Sequence, residues 1–191
     1  MSLTTEKIKS NATKYFKTAE KYGFMTPELQ DFLGLDFISA PASTYKHLHN
    51  AFEGGLIDHL LRVTKHMVLI NKNNLDKTNL VLNETSLFKV ALLHGIGKAK
   101  LYIKETDSWW IQNRGRMYTF NNDLASMDIG ERSVYYALSN GVELTDEEVA
   151  AIVNYDKVDD SKAEWHNTTL GDILKLAIRL AILEEKAANG D

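Results

Sequence analysis

The chain contains no cysteine, which removes disulfides, cysteine–zinc sites and thiol nucleophiles from consideration. Proline is almost absent: Pro27 and Pro41 are the only two, and both sit early. No uninterrupted apolar run approaches the roughly 20 residues needed to span a bilayer. Positive charge is not in excess, with 22 Lys and Arg against 26 Asp and Glu and a net charge of −4. Such a balance leaves no electrostatic footprint for nucleic acid. The start, MSLTTEKIKSNATKYF, lacks the apolar core of a signal peptide. These absences together predict a cytoplasmic protein with no membrane partner. What is present, 44% hydrophobic and 25% charged residues over 191 positions, is ordinary for a globular domain with a sizeable core.

Residues 4–22 carry Ile8, Ala12, Tyr15, Phe16 and Ala19 at helical spacing, predicting an amphipathic helix. Thr26-Pro27 fits an N-cap and a first-turn proline, opening a short helix through about Phe32. GLDFISAPASTYKHLHNAFEGG reads as irregular, with His47 and His49 clustered in it. After Gly54-Gly55, LIDHLLRVTKHMVLI places Leu56, Leu60, Val63 and Met67 on one helical stripe. NKNNLDKTN reads as a polar loop, and SLFKVALLHGIGK as a buried helix ended by Gly95 and Gly97.

The next stretch, LYIKETDSWWIQNRGRMYTF, is different in kind. Aromatic and β-branched runs flank Asn113-Arg114-Gly115, predicting a β-hairpin with Trp109 and Trp110 on opposite faces of a strand. Helices then resume with ERSVYYALSNG and with a capping box, Thr145 to Glu148, that opens a helix through about Tyr155. TLGDILKLAIRLAILEEKAA reads as a long final helix. No repeat, low-complexity tract or linker divides the chain, so one domain over residues 1–191 is expected.

Two histidines stand out. His94 in ALLHGIGK lies near the end of an apolar helix, and His59 in GGLIDHLL lies one turn inside another. Histidines on separate helices beside glycine breaks could converge on one metal, although either could equally be a hydrogen-bonded core residue. Asp58 adjoins His59 but points about 100° away on the helix, toward an expected solvated face. Asp172 is rotated about 120° from Ile178 and is not expected to share its pocket. His66, two turns beyond His59, is too far along the axis to share a metal with it. Arg114, Arg116 and Lys98 could form a phosphate-binding edge near the hairpin, and a solvated turn explains the two arginines equally well.

HLHNAFEGGLIDHLLRV, ALLHGIGKAKLY, WWIQNRGRMYTF and IGERSVYYALSNGVELTDEEVAAI, in that order, resemble HD-domain phosphohydrolases of the small bacterial and phage type. TLGDILKLAIRLAILEEK is similar to the closing helix of that family. The resemblance covers roughly residues 36–187, leaving 1–35 as an N-terminal helical extension. It implies an all-α bundle of about six helices with a small β-hairpin insertion. Members hold one or two divalent metals through histidines and aspartates and activate water against a phosphate ester. Carried over by position, His59 matches the first metal-binding histidine and His94 the histidine of the His-Asp doublet. His49 matches a histidine often found before the glycines, and Lys98 the lysine after the doublet. Glu131 keeps the glutamate of a Gly-Glu pair.

Four expected ligands are missing. The doublet aspartate is Gly95, a histidine before Gly-Glu is Ile129, another at the end of the Thr145 helix is Tyr155 or Asn154, and the closing aspartate is Ile178. Glycine and isoleucine supply neither the charge nor the hard oxygen that offsets a divalent cation. The resemblance therefore leads to a degenerate HD phosphohydrolase, impaired in catalysis, that serves as a scaffold for a nucleotide, a phosphate ligand or a protein partner. Its cofactor would be none, or a weakly held Mn, Fe, Mg or Zn ion. The alternative is an active nucleotide phosphohydrolase with a reduced metal site of His59, His94 and an aspartate among Asp156, Asp159 and Asp160, with Lys98 stabilising developing charge. A weaker alternative is a structural or assembly component.

Overall fold

A computed structural model describes residues 2–75, 82–157 and 168–189 of the chain. Among them are eight α-helices and one two-stranded sheet, so the all-α expectation holds at the level of fold class. Helix α1 (Thr5–Lys21) is capped by the Thr4 side chain on Lys7 N–H, because a threonine oxygen there satisfies an amide that has no carbonyl partner. Tyr15 of α1 is fully buried, stacks edge-on against Phe37 and donates to Leu92 O at 3.1 Å. This first helix is thus packed into the core.

Helix α2 (Pro27–Ser39) begins at the Thr26 cap with Pro27 in its first turn, as the sequence implied, but continues past Phe32 to Ser39 across a kink at Gly34. The segment from Ala40 to Gly54 is irregular, and α3 (Gly55–Ile70) follows, running into a short π-helical turn (Asn71–Leu75) where a loop was expected. Helix α4 (Glu84–Leu93) is capped by Asn83 and ends at His94, and a 3₁₀ turn (Ile96–Lys98) reverses the chain. Leu56, Leu60, Met67, Leu92, Leu93 and Ile96 are all nearly or completely buried at the centre of the molecule, where α3 packs between α4 and α8.

The hairpin needs correcting. Strands β1 (Tyr102–Lys104) and β2 (Tyr118–Phe120) do pair antiparallel, with Ile103 opposite Thr119. Between them, however, lies a helix, α5 (Ser108–Arg114), in place of a tight turn at Asn113-Arg114-Gly115. Trp109 and Trp110 are therefore helical, the first exposed and the second half-buried. The sheet edge is tied to the irregular segment: Thr44 O accepts from Met117 and Tyr118 N–H, and Gly115 O accepts from Lys46 N–H at 2.7 Å.

Helices α6 (Ile129–Ser139), α7 (Asp146–Asn154) and α8 (Thr169–Asn189) complete the molecule. The expected capping box of α7 is present, with Thr145 and Glu148 bonding reciprocally. Lys89 on α4 donates to Glu148 at 3.0 Å and fastens that box to α4. No helix among the described residues is long and apolar enough to cross a membrane.

Candidate functional site

The site grows from the turn after α4. At Gly97 a Cβ would lie 2.6 Å from Ile129 O, so only glycine lets the 3₁₀ turn approach the start of α6 this closely. Ser133 Oγ accepts from Gly97 N–H and lies 2.8 Å from both His94 O and Ile129 O. His94 is thereby fixed at the helix end and is 1% exposed. Its Nδ1 is 2.9 Å from Ala91 O. A carbonyl only accepts, so Nδ1 carries the proton and Nε2 presents a lone pair.

Three imidazoles come together here. The ring centre of His59 lies 5.9 Å from that of His94 and 4.9 Å from that of His49. The Tyr155 ring packs edge-on against His94 at 5.0 Å. His49 sits on the irregular segment, where Ser43 Oγ donates to its carbonyl at 2.6 Å. Its neighbour Asn50 donates to Gly55 O and to Asp58. His59 is 3% exposed and faces a residue that the sequence did not single out. Glu185 of α8, 1% exposed, holds both carboxylate oxygens against His59 Nδ1 at 2.9 and 3.1 Å.

Burial dominates the electrostatics. It holds the His59 imidazole down to about 3, helped by the Lys98 charge, and keeps His94 well below the usual histidine range with His59 adding to the effect. His49 is lowered for the same first reason, then by His59 and Lys98. Glu185 moves the opposite way, pushed up to about 8 because burial disfavours its anion. All four groups are therefore biased toward their neutral forms. Lys98, also buried, donates to Ala42 O at 2.7 Å, and its ammonium is lowered to about 8 by desolvation against the pull of Glu185 and Asp156.

His49, His59, His94 and Tyr155 thus form one run of ring contacts, with the Lys98 charge close enough to act on the three imidazoles. The other candidates are elsewhere or otherwise engaged. Arg116 is bound by Glu105 and lies 4.0 Å over the Trp110 ring, while Arg114 is exposed on Trp109. Glu131 is exposed and pairs with Lys157 at 3.8 Å. Ile178 is buried in the core, and Asp172 is exposed on another face of α8. Asp156 has its carboxyl raised by burial and by Asp128. Asp159, Asp160 and His166 lie outside the described residues.

Asp58 is not on a solvated face. It accepts from Asn11, Asn50 and Arg62 in a buried cluster, joining α1, the irregular segment and α3. Half-buried His66 of α3, two turns after His59, bonds Glu184, the residue before Glu185 on α8, at 2.9 Å.

A separate cleft of about 420 Å³ is lined by Asn121, Asn122, Asp128, Ile129, Arg132 and Asp156 among others. Arg132 is 5% exposed. Its Nη2 donates to Ala125 O at 2.6 Å, whereas its Nε has no hydrogen-bond partner among the described residues. Comparison of the chain with protein families, with curated proteins and with solved structures finds no match.

Proposed function

We propose that the chain is an HD-type domain that has lost its family's hydrolytic metal centre and binds a phosphate-bearing ligand, a nucleotide first among them. The observation that carries this reading is Arg132. Among the described residues its guanidinium has one hydrogen-bond acceptor, Ala125 O. It lines a cleft whose size suits a small ligand, next to Ile129 and Asp156. A phosphate oxygen is the acceptor for which arginine is best shaped. Asn121 and Asn122, on the same cleft wall, offer amides to a sugar or base.

The loss of hydrolysis is supported by what fills the missing ligand positions. Ile178 is packed in the core, Tyr155 lies against His94, and the space beside Gly95 is taken by Leu60 and Leu56. The test is calorimetric titration with inorganic phosphate and nucleoside mono-, di- and triphosphates, followed by phosphate-release assays with Mn. Binding without turnover is expected, weakened at least about tenfold in Arg132→Gln. Release of phosphate that depends on His59 would establish the active alternative, and no binding across the panel would end the proposal.

A further inference from the structure

A second chemistry is available at the far end of α8. One donor atom from each of His49, His59 and Glu185 lies within 4.8 Å of the others. We propose that these three residues form a single-ion site for zinc or a similar late first-row divalent metal. The proposal stands on their geometry alone, and neither the HD resemblance nor the phosphate cleft enters it. Ile178, where the resemblance places the closing ligand, precedes Glu185 by seven residues, about 10 Å along the helix. The set therefore shares His59 with the ligands that the resemblance implies but takes its carboxylate from Glu185, two turns later on the same helix.

The donor set selects the metal. Two imidazoles and one carboxylate suit zinc, and three protein ligands leave a fourth position for water or a ligand. Zinc bound tetrahedrally at about 2.0–2.1 Å holds its donors roughly 3.4 Å apart, so rotation of side chains closes the cluster. Helices α3 and α8, which pack directly together, hold two of the three donors. The third, His49, is half-buried, which gives an ion a way in from solvent. Glu185 is not consumed by the nearby cation: Arg62 Nε is 4.0 Å from it, but 2.9 Å from Asp58, and Arg62 Nη1 is 3.1 Å from Glu184. His59 Nδ1, bridged by both carboxylate oxygens, already marks where a proton or an ion is shared.

The experiment uses the full chain stripped with chelator. Zinc is titrated calorimetrically, and cobalt(II) is titrated in parallel by visible absorption, which reports a tetrahedral nitrogen–oxygen site directly. One equivalent is expected, with affinity reduced at least about tenfold in both His49→Ala and Glu185→Gln. Circular dichroism confirms that each variant is folded, and His49→Ala, being half-buried in an irregular segment, keeps the test open should Glu185→Gln unfold. No bound ion, or binding that survives either substitution, overturns the site.

Discussion

At position 95 an added Cβ would meet Leu60 Cδ2 at 3.1 Å and Leu56 Cδ1 at 3.4 Å. A longer side chain must displace the leucines, and a carboxylate must do so while losing water. Gly95→Asp, which would write in the doublet that the resemblance implies, is therefore expected to destabilise the fold by about 2 kcal/mol or more. It is also expected to give no Mn-dependent phosphate release. Urea unfolding with the same hydrolysis assay checks both, and a variant as stable as the parent that turns over nucleotide would refute the argument. The histidines of the cluster were legible in the sequence, since His59 and His94 interrupt apolar helices beside glycines, whereas Lys98 was singled out chiefly through the resemblance. Glu185 was not, because a ligand was sought at 178. A signal did exist: Leu174, Ala177, Ile178 and Ala181 form a buried stripe, and Glu185 falls on it, a charged residue at an apolar position. Arg132 was hidden differently, since only the packing of α6 against residues near Ala125 buries it.

Helix α5 shows where local pattern misleads at the scale of an element. Its aromatic and β-branched composition favours a strand, yet both of its ends are marked. Asp107 Oδ1 accepts from Trp109 N–H at 2.8 Å as an N-cap. Gly115, at φ 63°, closes the helix with its N–H on Ile111 and Trp110 carbonyls. Two cation–ring contacts then fix the tryptophans. The caps outweighed β-propensity, which in any case reflects packing more than backbone preference. The long helices α1, α3, α4, α6, α7 and α8 were legible because each has a buried stripe or a cap, whereas α2 was shortened by a glycine that only kinks it. Gly115→Ala is expected to cost about 1 kcal/mol, since alanine resists the left-handed conformation. A fall of roughly 2–4 °C in Tm measures it, and an unchanged Tm would mean that α5 contributes little to the rest of the fold.

For the whole molecule, the buried imidazoles and Glu185 set how stability varies with pH. His59 and His94 have folded values below the ordinary 6.5. The unfolded chain therefore takes up their protons first, and their contribution is complete above 6.5 and is lost as pH falls. Glu185 has its folded value raised from 4.5 to about 8. Its contribution is complete below 4.5 and is lost as pH rises through about 8. His49 is lowered likewise, so between these values three imidazoles oppose one carboxyl on the acid side, and Glu185 acts alone from 6.5 to 8. Lys98, lowered to about 8, enters with the opposite sign only at the top of that range. Stability, measured as urea midpoints in chelator so that no ion holds the cluster, should therefore peak near pH 6.5. Each titrating group is worth about 1.4 kcal/mol per pH unit, which makes the decline from 6.5 to 8 about 2 kcal/mol. Glu185→Gln should flatten that alkaline limb and leave the acid limb in place, because glutamine does not titrate while His59 and His94 still do. A stability curve flat from pH 5 to 8 would mean that these groups are solvated in solution, and both the buried cluster and the ion site built on it would fall together.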